Sequence, residues 1–329
     1  VSAQTIQRIE LLNADVSEFD ESINAKATRL IGNVQFKHEN ALMFCDSAYM
    51  YRDENRIEAF SNVRIKQGDT LNLTGRRLNY DGNTKYAQIF ENVVMTDRKT
   101  VLNTSRLDYD MDKEIAFYHD SAHIVDGENT LTSKTGYYYS SIHDLFFRTS
   151  VVLVNPQFTM DCDTLRYNTI SKTSYFFGPT YIHSKENLIY CENGWYETVK
   201  QRSNFRKNAF LRSKEQTLKG DSILYDRVKA IGKAFGNVNL NDTVNKVIID
   251  GDYAEHHEFS DSSWVTGHAM MTQIMNSDSM FMHADTLMAI GRDTTSEGRQ
   301  KKNLYAFHKV KLFSKDLQGK CDSLVYNQV

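Results

Sequence analysis

The sequence predicts an all-β fold of antiparallel strands built from repeats of 29 to 30 residues, and three observations carry that expectation. First, a tyrosine row, preceded in several units by Leu-x, recurs at Tyr80, Tyr109, Tyr138, Tyr167, Tyr196 and Tyr225, each 29 residues after the last. A second run recurs with the same period as Asn33-Val34, Asn62-Val63, Asn92-Val93, Ser121-Ala122, Ser150-Val151, Asn208-Ala209 and Asn237-Val238. Such a period marks units that bury their apolar faces against their neighbours. Second, polarity alternates inside a unit: Leu71, Leu73, Leu78 and Tyr80 interleave with Asn72, Thr74, Arg77 and Asn79, the pattern of a sheet with one wet and one apolar face. Third, the runs close in short charged turns such as Tyr80-Asp81-Gly82-Asn83 and Lys66-Gln67-Gly68-Asp69, whose glycine pairs suit positive φ. Two runs per unit joined by tight turns give hairpins, with a parallel β-helix of similar period as the competing arrangement.

In chain order, residues 1–28 form a leading half-repeat in which Phe19 takes the tyrosine position. One continuous repeat domain, residues 29–329, follows as an elongated body. Units begin near Arg29, Arg56, Tyr86, Ile115, Leu145, Ser174, Ser203 and Gly232. Late in the chain the spacing drifts, with His256 and Met288 in the tyrosine row before Tyr326. The last jump comes from residues 291–303, a polar insertion without apolar periodicity, expected as an exposed, mobile loop.

Composition narrows the function classes. The 39 basic and 42 acidic residues are mixed throughout and leave a net charge of −3, which lacks the basic stripe of a nucleic-acid or anionic-membrane surface. Only two prolines interrupt a strand-prone sequence, and no apolar run reaches the roughly 18 residues of a membrane helix. The opening Val-Ser-Ala-Gln reads as the small-residue end of a removed secretory signal. Cys45, Cys162, Cys191 and Cys321 each lie five residues before the tyrosine row, counting Met50 as its member, so they are one small structural position, filled elsewhere by Gly75, Thr104, Ser133 and Gly220. Antiparallel units put equivalent residues about 9.5 Å apart, too far for a disulfide, so four free thiols are expected.

The aligned units give inward apolar rows. One holds Val34, Val63, Val93, Val151 and Val238, followed two residues on by Phe36, Ile65, Met95, Leu153 and Leu240. A second holds Met43, Leu73, Leu102, Leu131, Met160, Ile189, Leu218, Ile249 and Phe281. A third holds Leu78, Leu107, Leu165, Ile223 and Leu324. These rows either interdigitate into a dry core or leave a lipid trough between two walls. Met270, Met271, Met275, Met280, Met282 and Met288 are late inward candidates whose flexible thioethers suit either case. No catalytic constellation emerges and no cofactor motif is present. Asp108-Tyr109-Asp110-Met111-Asp112 begins like a calcium loop but has His119 where a bidentate Glu belongs. In Glu255-His256-His257-Glu258, neighbouring side chains point to opposite faces of a strand, against a shared metal site.

Units reading Gly32-Asn33-Val34-x-Phe36, and Cys162-Asp163-Thr164-Leu165-Arg166-Tyr167, resemble the OstA-like family, which includes the lipopolysaccharide-transport protein LptA and the N-terminal domain of its partner LptD; the number of units is similar to the longer Bacteroidetes-type members. That resemblance implies a β-jellyroll, or β-taco, in the periplasm, non-enzymatic, with an apolar interior for the acyl chains of lipid A. It implies partners among other transport components, or a second copy, joined by edge-strand pairing. The implied lipid-binding residues are Val34, Phe36, Val63, Ile65, Leu73, Leu78, Val93, Met95, Leu102, Leu107, Leu131, Met160, Leu165, Ile189, Leu218, Ile223, Val238 and Leu240. A structural β-solenoid, such as a stalk or adhesin with a dry core, is the alternative; a membrane β-barrel is disfavoured by the charged outer face.

Overall fold

Strands of mostly 10 to 12 residues, paired antiparallel, make up the computed structural model, which describes residues 7–19, 26–68, 71–275, 278–294 and 300–327. The register confirms hairpins over a parallel helix: Arg56–Gln67 pairs with Leu71–Asp81, which pairs with Tyr86–Asp97, which pairs with Thr100–Asp110. Among the described residues the helical content is one 3-10 turn, Glu258–Ser260, and no helix is long and apolar enough to cross a membrane.

Each long strand bends midway, and the bend has a sequence cause. The register skips at the same place in successive pairs, as between Phe60 and Val63 or Phe90 and Val93. The skipped residues of alternate strands sit at positive φ: Gly32 and Asn33, Ser61 and Asn62, Glu91 and Asn92, Lys207 and Asn208, Gly236 and Asn237. Asn is the L-residue that tolerates this region best, which explains why the repeat reads Asn-Val. The Asn amide is then used, donating to the acid beside the cysteine position on the preceding strand: Asn62 to Asp46 at 2.7 Å, Asn208 to Glu192 at 2.7 Å, Asn237 to Asp221 at 3.0 Å. At Gly236, where φ is +66, a Cβ would stand 2.3 Å from the Asp221 carboxylate, which would have to shift to admit a side chain. The recurrent Asp beside Cys is thereby a structural brace of the corner.

The bend divides each long strand into two limbs, one carrying the tyrosine row and one the valine row, and the two limbs become facing walls. At the free end of the tyrosine wall, four-residue turns repeat with their last residue at positive φ: Asn55, Lys85, Glu114, His143, Lys172, Gln201 and Ala230. Gly82 has no such φ. The fourth turn residue, instead of the Asp-Gly pair, makes the reversal, whereas Gly68 on the valine side does adopt φ +60.

Contacts gather into two units, residues 1–156 with 164–170 and residues 157–163 with 171–329. In the first, Glu10–Asn13 and Val16–Phe19 together pair along Thr28–His38, making the half-repeat one broken strand. In the second, the expected loop at 291–303 is largely hairpin. Thr286–Thr294 pairs with Gln300–Phe313 through Ile290↔Asn303 and Gly291↔Lys302, because a two-stranded ladder extends on backbone bonds alone without apolar side chains. Residues 295–299 lie outside the described residues.

Candidate functional site

The space between the walls is the site that the inward rows define. In the first unit it is filled. Val34, Phe36, Val63, Ile65, Leu73, Leu78, Val93, Met95, Leu102, Leu107, Leu131 and Leu165 are all buried, and register pairs join Phe36, Met43, Ile65, Leu73, Met95, Leu102, Ile124 and Leu131 into one ladder. At the mouth, where the wall ends meet, the tyrosine row alternates large and small: Ile57, Tyr80, Ala87, Tyr109, Ala116, Tyr138, Leu145. Each tyrosine hydroxyl reaches the opposite wall. Tyr80 shares a hydrogen bond with His38 Nδ1 at 2.5 Å, Tyr109 donates to Gln67 Oε1 at 2.6 Å, Tyr138 donates to the Asp97 carboxylate, and Tyr167 donates to Asp126 at 2.8 Å. These bonds span 41 or 42 residues and form a polar seam that closes the mouth. Burial pushes the phenols of Tyr80, Tyr109, Tyr138 and Tyr167 above their ordinary range, and acceptance by Asp97 and Asp126 pushes Tyr138 and Tyr167 further. At the N-terminal end the segment Gln7 to Ile9 adds a strap: Asn55 Nδ2 and His38 Nε2 both meet the Gln7 carbonyl, and Ile9 N donates to Asn55 Oδ1.

The second unit is built differently at the same positions. Its inward ladder is equally continuous, running Ile182, Ile189, Leu211, Leu218, Leu240, Ile249, Met271, Met282. Yet Ile189, Leu211, Leu218, Leu240 and Ile249 are only half-buried, while Ile182 and Met160, at the start of the same rows, and Ile223 and Val238, on the facing wall or nearer the corner, are buried. The mouth row has lost its apolar small positions, reading Ser174, Tyr196, Ser203, Tyr225, Gly232, His256, Ser263. Its hydroxyls also turn aside: Tyr225 donates along its own wall to Glu258 at 3.0 Å, and His256 bonds Ser263 at 2.8 Å. Tyr196 packs edge-on against Phe158, and Arg227 donates to Gln157 at 2.9 Å. The far end closes again on a core of Val265, Met271, Met282, Leu287, Leu304 and Val310.

Two expected positions move. Phe281 pairs with Thr272 and Phe313 and is exposed, so Met282 holds the inward place; Met288 lies opposite Trp264, and Ala289 faces Ser263 in the mouth row. Both are one-residue slips, which reverse the face. Of the methionines, Met271 and Met282 are buried, Met280 packs partly on the core and Met275 is exposed. Cys45, Cys162 and Cys191 are buried free thiols, each pushed up to about 12 by burial, and Cys321 is free and exposed. Glu255 and His257 share the outer face, 2.8 Å apart, with His256 on the other. No metal-ligand cluster occurs among the described residues. The tyrosine seam itself was missed by sequence reasoning, because its acceptors differ in chemistry from unit to unit.

The family described as OstA-like protein matches residues 6–163 and 162–221. No curated protein matches the chain. Among solved structures it is similar to LptH, the LptA-homologous periplasmic component of the lipopolysaccharide transport device from Pseudomonas aeruginosa, at 16% identity and a TM-score of 0.31, covering 33% of this chain and 82% of that one. With its family match running through more than half its length, the chain belongs to the OstA-like family.

Proposed function

We propose that the chain is a non-enzymatic periplasmic scaffold of lipopolysaccharide transport that holds lipid A acyl chains between its walls, principally in the second unit. One observation carries this: the ladder from Ile189 to Ile249 faces inward, is continuous, and is left half-exposed under a mouth row that lacks the first unit's wall-to-wall tyrosine seam. An acyl chain laid along it leaves water with about 0.8 kcal/mol per buried methylene, which needs no specific motif. Strand edges offer pairing sites for other transport components or a second copy; Val16 and Phe19 lie exposed on the first, and Val325 on the last described strand.

The packed interior of the first unit favours a second reading, a structural solenoid without ligand. Native mass spectrometry of the purified chain decides between them. Co-purifying glycolipid, lost on Leu218→Asn with Leu240→Asn, is the expected result; a lipid-free protein that also fails to take up added lipopolysaccharide would leave the solenoid.

A further inference from the structure

The turns along both lips of the second unit end in exposed apolar side chains. On the tyrosine-wall lip these are Val199, Val228 and Phe259, and on the valine-wall lip Val244, Met275 and Leu317, each between 45% and 85% exposed. The first three occupy the second position of successive four-residue turns. In the first unit that position holds Asp53, Asn83, Asp112 and Ser141, and the opposite lip carries Glu39, Arg98 and Glu128, although Ile142 and Ile170 are exposed on the tyrosine-wall lip there too. Apolar tips are therefore most frequent on the lips that flank the half-exposed ladder, where both lips carry them.

Most tips come with a cation. Lys200 follows Val199, Lys229 follows Val228, Lys246 stands two residues after Val244, and Lys315 two before Leu317. Acids also lie near the tips: Glu197 pairs with Lys200 at 3.4 Å and Asp226 with Arg202 at 2.9 Å, while Glu258, which accepts from Tyr225, and Asp316 directly precede Phe259 and Leu317. Single apolar side chains projecting from separate turns do not make a continuous face for another protein. They suit insertion between lipid headgroups, where each apolar tip leaves water and each neighbouring ammonium meets a phosphate.

We propose that the lips of the second unit form a bilayer-contacting surface, the apolar tips entering an anionic lipid leaflet with the lysines at its phosphates, so that the open trough faces the membrane. This rests on the trough reading for its purpose, but its physical content is separate from it.

The test is flotation of the full chain with vesicles of phosphatidylethanolamine and phosphatidylglycerol. Wild type is expected to float with the vesicles, and Val199→Ser, Val228→Ser, Phe259→Ser combined to lower the bound fraction about tenfold. Lys200→Gln with Lys229→Gln is expected to lower it less, and chiefly at low salt. Wild type that stays at the bottom, or a triple variant that floats equally, overturns the proposal. So does a wild-type dimer in sedimentation that the triple variant abolishes, since the tips would then serve a second copy. Uptake of lipopolysaccharide added in detergent is measured in parallel. Unchanged uptake with lost flotation leaves the trough intact; lost uptake in Leu218→Asn with Leu240→Asn, but retained flotation, separates the two ideas the other way.

Discussion

The two units use one repeat to build two interiors. In the first, Phe36, Ile65, Leu73 and Met95 are sealed beneath tyrosines that hydrogen-bond from wall to wall; in the second, Leu211, Leu218 and Leu240 occupy the same ladder half in water. The difference does not lie in the ladder, which is apolar in both. It lies in the mouth row, where Ile57, Ala87, Ala116 and Leu145 give way to Ser174, Ser203, Gly232 and Ser263, and in whether the tyrosine finds an acceptor on the facing wall. The edge of a sheet sandwich thus decides whether an identical apolar lining is core or groove.

The largest test places a charge in each interior. Leu107→Asp buries a carboxylate in the sealed unit and is expected to cost about 4 kcal/mol or more, whereas Leu218→Asp, half in water, is expected to cost about 1–2 kcal/mol. Urea unfolding curves measure both, and equal losses would erase the distinction. Next is the seam. Tyr138→Phe leaves the Asp97 carboxylate buried, with Oδ1 already lacking a hydrogen-bond partner, at an expected cost of about 1–3 kcal/mol. Tyr225→Phe, whose partner Glu258 lies on the same exposed rim, is expected to cost under about 0.5 kcal/mol. Hydrogen exchange should quicken around Asp97 in the first variant alone.

Alkali sharpens the same contrast. The seam phenols have folded pKa values raised by burial above the unfolded value of about 10. Their stabilisation is therefore complete below pH about 10 and declines as pH rises toward the folded values. Tyr225, only partly covered, is pushed up to about 12 by burial and Glu258. Phenolate absorbance should show the seam tyrosines ionising together with loss of structure, and Tyr225 ionising ahead of them. The smallest effect is chemical: Cys45, Cys162 and Cys191 are buried while Cys321 is exposed, so one thiol should react in the native protein and four after unfolding, without prior reduction.

Much of this was legible in the sequence because it recurs. The period placed the tyrosine row, the cysteine position and the apolar rows, and of the eighteen inward residues named at the outset all but Ile189, Leu218 and Leu240 are buried. Those three face the same interior as the rest; alternation fixes a face, but the depth of water above it depends on the mouth. The seam was invisible because His38, Gln67, Asp97 and Asp126 share a place and no chemistry. Phe281 and Met288 slipped by one where turn lengths change after Asp242, and a period of two has no tolerance for such a change. The 291–303 hairpin was read as loop because backbone pairing leaves no apolar trace.

The turns at the tyrosine-wall lip carry one further consequence. In each, the first residue donates its N–H to the last carbonyl of the turn before: Gly82 to Asn55, Met111 to Lys85, Ser140 to Glu114 in the first unit, and Thr198 to Lys172, Arg227 to Gln201, Glu258 to Ala230 in the second. Neighbouring hairpins are therefore coupled at their tips as well as along their ladders. A lip so tied behaves as a continuous rail whose displacement at one rung is shared by the next, with nearest-neighbour cooperativity. Any opening of the lip would then travel as a wave of several repeats, uncovering the interior in steps of whole hairpins.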